Sequence, residues 1–559
     1  MRTLPLLLTS LCGRLQYHPS IIIDPSRAHR LLQKTLDNIT NWASSRGHRF
    51  SSLKTSLVVF KKRKPTPIVP PLFLQGFHIK TTDLTKFLGL LFHSTSNWTH
   101  HIKNLKAKCL RSINVLKYLS HPSTGCNRKL LIHLYKNLVR SQLDYGAPIY
   151  NLANKSTLAL LDTVQNTSLR LALGAFRTSP GLSLCAEAAE PPLPFRRLIL
   201  TSNFLASVSQ SPHLPIFDTF FPPSSHSSPT HSNNHIRQQL ELTLGKSFSL
   251  YSLQPIHMSF PFWIQPQPNI RLDLTELPAT TSNTIYRSHI QNLLNEYPNY
   301  TLCLTDGSKI NNKTAYAYSI ADSVTSHRKH NSASVFTAEL MAIFSCLSHL
   351  TQLPPNGKYL LPTDSLSSLH ALSDTSTINP LAQRVHLTLH STLISIDTQV
   401  TLIWIPGHIN LQEHDAVDSA AKQATESKKV TDGTPLPAYD HKNHFRSLVL
   451  QSWHLAWKNQ TDNKLLSIKP TPSPWTSSFR NSRREEVTLT RLRIGHTRLT
   501  HSYLLNPYIL SRPSCPHCHC DNLTVEHFFS CPSLSSLRTI HNVLPTSSSS
   551  LKNNADVVT

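Results

Sequence analysis

Four acidic residues occur in local sequences that could build a metal-dependent catalytic site. They are Asp306 in Thr-Asp-Gly-Ser, Glu339 in Thr-Ala-Glu-Leu, Asp364 in Pro-Thr-Asp-Ser and Asp418 in Asp-Ser-Ala-Ala. The chain has 30 Asp+Glu against 55 Lys+Arg, so acids beside apolar segments stand out. Converging oxygen donors are what hard divalent cations such as Mg²⁺ need. With two such ions, a carboxylate cluster activates water and stabilises the leaving oxygen in phosphodiester cleavage.

The elements around these acids are those of an α/β domain. Asp306 and Asp364 each come at the end of a predicted strand. Glu339 lies in the first turn of a mostly apolar helix, and Asp418 lies early in another helix. The functional crevice of an open α/β sheet lies at the carboxyl ends of its strands, where these elements can bring the acids together. Taken singly, each acid is more ordinarily a helix cap or a surface charge.

A second group of residues has the spacing of a zinc site. Cys515, Cys518, His527 and Cys531 give the pattern C-x2-C-x8-H-x3-C, which suits a closed, tetrahedral structural Zn²⁺. One of the four ligands could be replaced by a neighbouring side chain, namely His517, His519 or Cys520. The alternative to a zinc site is a set of scattered reduced cysteines. Arginines precede the cluster and indicate contact with nucleic acid, namely Arg483, Arg484, Arg491, Arg493 and Arg498.

The composition indicates a polyanionic partner. The 559 residues have a formal net charge of +25 and a pI near 9.8. Nucleic acid is the first candidate, an acidic membrane surface is the second, and a poorly structured basic chain is the alternative. No run of 18 apolar residues occurs, so we expect no membrane span. The apolar start is interrupted by Pro5 and does not favour secretion. The ten cysteines are too few and too clustered for a disulfide framework, which favours an intracellular protein.

In their order and spacing, the acids identify a resemblance to a known family. Residues 297–428 resemble a type 1 ribonuclease H domain. The resemblance implies that the four carboxylates bind two Mg²⁺ ions, which drive hydrolysis of the RNA strand of an RNA–DNA hybrid. It also assigns proton transfer or product release to His408, ten residues before Asp418. Two features differ from the family pattern: the usual Gly-Asn-Glu is replaced by Glu-His-Asp at 413–415, and Pro362 lies in a predicted central strand.

A wider resemblance covers most of the remaining chain. Residues 28–200 resemble the region after the catalytic palm in reverse transcriptases of non-LTR (LINE-type) retrotransposons, and residues 485–531 resemble the C-terminal end of such polyproteins. The stretches that carry it include 32–43, 86–89, 102–107 and 143–148. The paired Asp-Asp motif of the polymerase is missing before the first of these stretches. We therefore expect no reverse transcription, and the chain looks like the C-terminal part of a retrotransposon reading frame.

These observations predict an α/β fold. A ribonuclease H-like mixed five-stranded sheet with flanking helices follows a mainly helical thumb remnant and precedes a zinc knuckle. The predicted segments are a palm-end and thumb remnant at 1–205, a linker at 206–295, the ribonuclease H domain at 296–430, a linker at 431–482, a basic helix with zinc knuckle at 483–535, and a Ser-rich tail at 536–559.

The expected activity is Mg²⁺-dependent endonucleolytic cleavage of RNA in RNA–DNA hybrids. The principal alternative is a catalytically dead relic that binds nucleic acid, and a third is an unstable product. The expected partner is nucleic acid, with no membrane. The basic run at 61–64 could serve nuclear import, although a solvated loop is the alternative, so localisation to nucleus or cytoplasm stays open.

Overall fold

The computed structural model describes residues 25–60, 70–221, 252–256, 267–278, 280–393, 396–407, 412–506, 508, 511–519 and 522–553. The chain divides into two compact units. One consists of Met1–Arg197 and His454–Thr559, and the other of Leu198–Trp453. Among the described residues, no helix has both the length and the apolarity needed to cross a membrane.

The first unit is mainly helical, which confirms the prediction of a helical region before the sheet domain. Its longer helices are Pro25–Ser45, Thr99–Leu119, Arg128–Leu134, Lys155–Leu173, Gly181–Ala188, Leu193–Ser209 (which passes into the second unit), Arg483–Ile494 and Ser547–Asn553. Shorter helices are Ser141–Asp144, Ala147–Tyr150, Lys464–Ile468, Arg498–His501, Val525–Ser530 and Ser535–Ile540, and a π-helical stretch covers Tyr135–Arg140. Three two-stranded sheets are formed by Ser56–Leu57 with Lys80–Thr81, Phe73–Leu74 with Phe77–His78, and Leu84–Phe87 with Leu90–His93.

Residues from the two ends of the sequence share the core of this unit. Gly174 has a positive φ of 65°, and a Cβ placed there would lie 2.2 Å from Val487 Cγ2. Arg483 Nη1 donates to the carbonyl oxygen of Ala172 at 2.9 Å, and Arg491 Nε donates to that of Gly174 at 2.9 Å. The helix Arg483–Ile494 therefore packs against the end of the helix Lys155–Leu173.

This packing corrects the predicted role of the basic helix. Arg483 and Arg493 are buried, and Arg491 is bonded to the backbone. Arg493 Nε donates to the Leu551 carbonyl at 3.1 Å, so the predicted Ser-rich tail is also partly packed. Among the five arginines proposed to approach nucleic acid, only Arg484 and Arg498 are exposed. The sequence showed the charges but not the carbonyl and carboxylate groups that satisfy them.

The second unit holds one six-stranded sheet with helices on both faces. Its strands are β1 Ile270–Arg271, β2 Thr301–Ile310, β3 Lys313–Ile320, β4 Ser323–Lys329, β5 Lys358–Thr363 and β6 Gln399–Trp404. Its helices are α1 Asn283–Asn295, α2 Val335–Leu350, α3 Leu366–Ser373, α4 Pro380–Leu387 and α5 Gln412–Glu426; a short helix covers Phe217–Phe220, a π-helical stretch covers Thr388–Leu393, and the helix Ala438–Lys458 begins in this unit.

The strand order is β4-β3-β2-β5-β6-β1. The first three strands are antiparallel neighbours, and β2, β5, β6 and β1 pair in parallel. The predicted mixed sheet with flanking helices is thus confirmed. The sixth strand, β1, was not predicted because it has only two residues and lies in a Pro-rich stretch.

The two faces of the sheet have separate apolar cores. On one face, α2 packs with Cys303, Leu361 and Leu402. On the other face, Leu304 and Ala317 pack against Val417 and Ala421 of α5. Side chains alternate along a strand, so Asp306 lies on the α5 face with Leu304, and Gly307 lies on the α2 face. Strand β2 is therefore in contact with α2, which carries Glu339, and with α5, which carries Asp418.

Pro362 does lie in the central strand β5, and the local pairing explains how the sheet accepts it. Proline has no N–H to donate to a ladder. The ladder between β5 and β2 is limited to Tyr359 with Thr301 and Leu360 with Leu302, and so ends before Pro362. On the other side, the register with β6 continues through Thr363.

Both predicted linkers contain ordered elements. Within 206–295, β1 joins the sheet and α1 packs on it through Tyr286, Ile290 and Leu293; residues 222–251 and 257–266 lie outside the described residues. Within 431–482, the structure has the helices Ala438–Lys458 and Lys464–Ile468. Asp432 Oδ2 also lies 2.9 Å from Nζ of the buried Lys329. The surrounding Pro and Ser residues concealed β1 and Lys464–Ile468, whereas the helix Ala438–Lys458 has 21 residues and no Pro and was missed.

Gly307 provides a test of how closely β2 must approach α2. A Cβ at this position would lie 2.6 Å from the backbone nitrogen of Glu339. We expect Gly307→Ala to destabilise the unit by about 1–3 kcal/mol, the usual cost of overpacking, measured as faster hydrogen exchange in β2 and α2 of the full chain. Gly433→Ala is the matched control, since a Cβ there meets nothing within 4 Å. Equal protection in the two variants would contradict the close packing.

Candidate active site

Asp306 lies in the middle of β2, and not at the strand end that we predicted. The strand continues to Ile310, and Asp306 is paired with Ala317 of β3. Its side chain is only 7% exposed. The longer strand arises because Lys309 and Ile310 still pair with the neighbouring strand before the turn at 311–312. Asp306 is thereby held rigidly by the sheet, with its carboxyl group next to α5.

Glu339 is placed by the first turns of α2. Ser334 caps this helix, its hydroxyl accepting from the Thr337 N–H at 3.1 Å. Glu339 is 6% exposed, and the backbone N–H of Gly307 donates to its carboxylate. Its second oxygen, Oε2, has no hydrogen-bond partner within the part of the chain that the structure describes. A buried carboxylate oxygen without a partner is costly, and it is available to a cation.

Asp364 directly follows β5 and is fixed through its backbone. Nε1 of Trp404 donates to the Asp364 carbonyl at 3.2 Å. Gly407 lies against the carboxylate, since a Cβ there would be 2.9 Å from Asp364 Oδ2. The backbone of the loop after β6 therefore approaches Asp364 closely. The predicted His408 comes next in this loop and lies outside the described residues.

Asp418 is on the second turn of α5 and is already paired. Nζ of Lys422, one helical turn further on, lies 2.6 Å from Asp418 Oδ2. Both side chains are partly exposed, so the pair is weaker than a buried one. The charge of Asp418 nevertheless acts on Asp306 and Glu339. Asp418 therefore belongs to the same electrostatic cluster as the other three acids.

The clustered carboxylates raise one another's proton affinity. Burial, followed by the charges of Asp364 and Asp418, raises the pKa of Asp306 to about 7, against the opposing effect of Lys422. Burial is also the main cause that raises the pKa of Glu339 well above its usual value, and Asp306 and Asp364 add to it. Like charges that share a buried site require a compensating cation or a proton. The donor set of carboxylate oxygens fits Mg²⁺ or Mn²⁺.

His414 belongs to this cluster and was missed by the sequence analysis as a site residue. Ligand atoms of Asp306, Asp364 and His414 all lie within 4.8 Å of one another. His414 was noted only as part of a departure from the Gly-Asn-Glu pattern. The signal that could have found it is its position on α5, four residues before Asp418, because residues at that spacing share a helix face.

The cysteine and histidine side chains of the C-terminal segment also converge. Ligand atoms of Cys515, Cys518, His527 and Cys531 lie within 4.8 Å of one another. Backbone N–H groups, first that of Cys518, lower the pKa of the Cys515 thiol to about 6, which favours the thiolate. The possible substitutes His517 and His519 are exposed and outside this group, and Cys520 lies outside the described residues. The geometry fits a tetrahedral metal site.

Comparisons with known proteins find similarity to RNase H proteins. Residues 298–426 match the RNase H family. Among solved structures, RNase H1 from Halobacterium salinarum NRC-1 is 17% identical, with a TM-score of 0.18, and the match covers 23% of this chain and 98% of that one. The N-terminal RNase H domain of rv2228c from Mycobacterium tuberculosis, solved as a fusion with maltose-binding protein, is 14% identical, with a TM-score of 0.18, covering 22% and 94%.

The curated relatives are proteins of mobile elements from Drosophila melanogaster. The RNA-directed DNA polymerase from mobile element jockey is 27% identical over 144 residues, covering 26% of this chain and 16% of the relative. The probable RNA-directed DNA polymerase from transposon X-element is 22% identical over 135 residues, covering 24% and 15%. The matches thus span about one sixth of these relatives. The chain carries an RNase H domain and is homologous to the reverse transcriptase polyproteins of LINE-type retrotransposons.

Proposed function

We propose that this chain is a Mg²⁺-dependent endonuclease that hydrolyses the RNA strand of RNA–DNA hybrids. The observation that carries the proposal is the convergence of buried carboxylates around β2. Asp306 and Glu339 are both nearly inaccessible, the charge of Asp364 raises the pKa of both, and the charge of Asp306 raises that of Glu339. A fold does not ordinarily retain such a cluster for stability, because unpaired buried charges are destabilising. The match of residues 298–426 to the RNase H family supports the reaction class.

Different residues of the chain would bind the metal ions, orient the ligands and transfer protons. Asp306, Glu339, Asp364 and Asp418 would hold two Mg²⁺ ions, which supply activation of water and stabilisation of the leaving oxygen when bound. The N–H of Gly307 orients the Glu339 carboxylate. His408 would transfer a proton or assist product release, since an imidazole titrates near neutral pH. The net charge of +25 favours association with the polyanionic substrate.

One observation favours a second candidate function, binding of nucleic acid without catalysis. The Asp418 carboxylate is paired with Lys422 at 2.6 Å through Oδ2, so this oxygen must exchange its partner before it binds a metal ion. Because the pair is partly exposed, its strength is modest, about 1 kcal/mol or less. A divalent cation that gains three further carboxylates can displace it. The Asp418–Lys422 pair is therefore too weak to favour binding without catalysis over the nuclease function.

Removal of one ligand charge separates the two functions. We expect Asp364→Asn in the full chain to lower cleavage of a labelled RNA–DNA hybrid in Mg²⁺ by about 10²-fold or more, in line with the loss of a key electrostatic group. Asp322→Asn, in the exposed turn between β3 and β4, is the matched control and is expected to keep full activity. If the folded parent leaves the hybrid intact in both Mg²⁺ and Mn²⁺ but binds it, the binding-only function takes its place.

The stability of the metal-free chain should depend on pH through Asp306. Its pKa is about 7 when folded, above the ordinary 3.8. Between those values the folded state keeps a proton that the unfolded state has lost, so stability falls as pH rises towards 7, by up to about 4 kcal/mol. We expect a lower calorimetric Tm at pH 8 than at pH 5.5 in chelator, and a larger increase on adding Mg²⁺ at pH 8. Asp306→Asn should flatten this dependence; an unchanged slope would contradict the assignment.

We also propose that the cysteine cluster holds one structural Zn²⁺. Its four ligands come entirely from the protein, so the site would be closed and would stabilise the fold rather than catalyse a reaction. We expect one zinc per full chain by elemental analysis, lost in Cys531→Ser. Cys126→Ser is the control, since Cys126 lies outside the cluster. Equal zinc content in the two variants would refute the site.

A further inference from the structure

His414 is a buried histidine with an unsatisfied ring nitrogen. It is 8% exposed, and its Nε2 has no hydrogen-bond partner among the residues that the structure describes. Removing a polar group from water without replacing its hydrogen bond is unfavourable, and buried polar atoms of this kind need a specific explanation.

The surroundings of His414 supply that explanation. A ring nitrogen of His414 and carboxylate oxygens of Asp306 and Asp364 lie within 4.8 Å of one another. This upper limit is compatible with atoms that surround a common ion at 2.0–2.2 Å, since ligands on opposite sides of an ion are about 4 Å apart. Asp306 comes from β2, Asp364 follows β5, and His414 comes from α5, so three separate elements converge on one point.

We propose that His414 is a direct ligand of one of the divalent cations, so that the site has a mixed nitrogen and oxygen donor set and prefers Mn²⁺ to Mg²⁺. This inference rests on the proposed function and specifies its metal. Mg²⁺ binds oxygen donors and keeps several waters. An imidazole nitrogen raises the affinity for first-row transition metals relative to Mg²⁺. His414 and Asp418 both lie on α5, so one helix positions both ligands.

The alternatives explain less. A histidine that packs as an apolar group would still leave Nε2 unpaired. A histidine that pairs with Asp306 or Asp364 would show a hydrogen bond to one of them, and Nε2 makes none in the described structure. An ion between the three side chains satisfies the nitrogen and both carboxylates together. Glu339, whose Oε2 is also unpartnered, lies next to the same acids.

The test is electron paramagnetic resonance of Mn²⁺ bound to the full chain, with its zinc site saturated beforehand. We expect electron spin echo modulation from a directly bound ¹⁴N in the parent, lost in His414→Asn. The ratio of Mn²⁺ to Mg²⁺ affinity, from competition titrations, should fall about tenfold in His414→Asn. His386→Asn is the control, because His386 is also buried but lies outside the carboxylate cluster. His408→Asn should keep the modulation and so exclude the neighbouring loop as its source.

The outcomes distinguish this inference from the proposed function. One outcome is that the parent binds Mn²⁺, that Asp364→Asn abolishes this binding, and that the bound Mn²⁺ shows no ¹⁴N modulation. This outcome would overturn the ligand role of His414 and leave the carboxylate site intact. Modulation that persists in His414→Asn would do the same. Absence of any Mn²⁺ binding that depends on Asp364 would overturn both. If His414→Asn does not fold, the parent and His408→Asn decide the question by the presence or absence of the modulation.

Discussion

Close approach of strand β2 to helix α2 is the constraint on which the carboxylate site depends. The backbone of Gly307 is so near Glu339 that a methyl group would lie 2.6 Å from the Glu339 nitrogen. This contact brings Glu339 near Asp306, although the Asp306 side chain lies on the opposite face of β2 from α2. The result is a set of buried negative charges whose repulsion the fold alone does not relieve. Packing thus creates the electrostatic conditions that a divalent cation would satisfy.

The first unit also buries a carboxylate, but it neutralises that charge with its own basic side chains. Glu187 is buried, and burial alone would raise its pKa, yet Arg128, Lys469 and Arg493 hold the pKa at about 2. The Arg128 guanidinium lies 2.7 Å from the Glu187 carboxylate. Here the chain supplies several cations for one buried acid. Among the described residues around Asp306, the charge of the partly exposed Lys422 lowers the pKa of Asp306 without cancelling the effects that raise it, and this contrast supports a cation from solution at that site.

Much of the fold could be predicted because local signals agreed with it. The residues of β2 alternate as those of a strand do, and the apolar run of α2 indicates a helix. The strand before Asp364 could also be recognised from its sequence. Helical spacing likewise predicted the first unit, where Ile102, Leu105 and Ile113 are buried as expected. The order of Asp306, Glu339, Asp364 and Asp418 then identified the family without any knowledge of distances.

What could not be predicted depends on contacts between distant residues. Arg483 and Arg493 are charged residues of the kind usually found at a surface, but both are buried. A carbonyl oxygen accepts a hydrogen bond from Arg483 and a carboxylate pairs with Arg493, each about 300 residues away in the sequence. His414 was one of 32 histidines, and only the structure places it beside Asp306 and Asp364. The Pro- and Ser-rich segments hid β1 and α1, because β1 is defined by its pairing with β6 and α1 by its packing on the sheet rather than by their own periodicity.

Anomalous diffraction from crystals of the full chain soaked in Mn²⁺ would show directly whether a metal ion binds beside β2. We expect Mn²⁺ density between the carboxylates of Asp306 and Asp364, with Glu339 turned towards it and the Asp418–Lys422 pair separated. Density absent from this cluster at saturating Mn²⁺, with Asp418 still paired to Lys422, would contradict the central claim that these acids form a metal-dependent nuclease site.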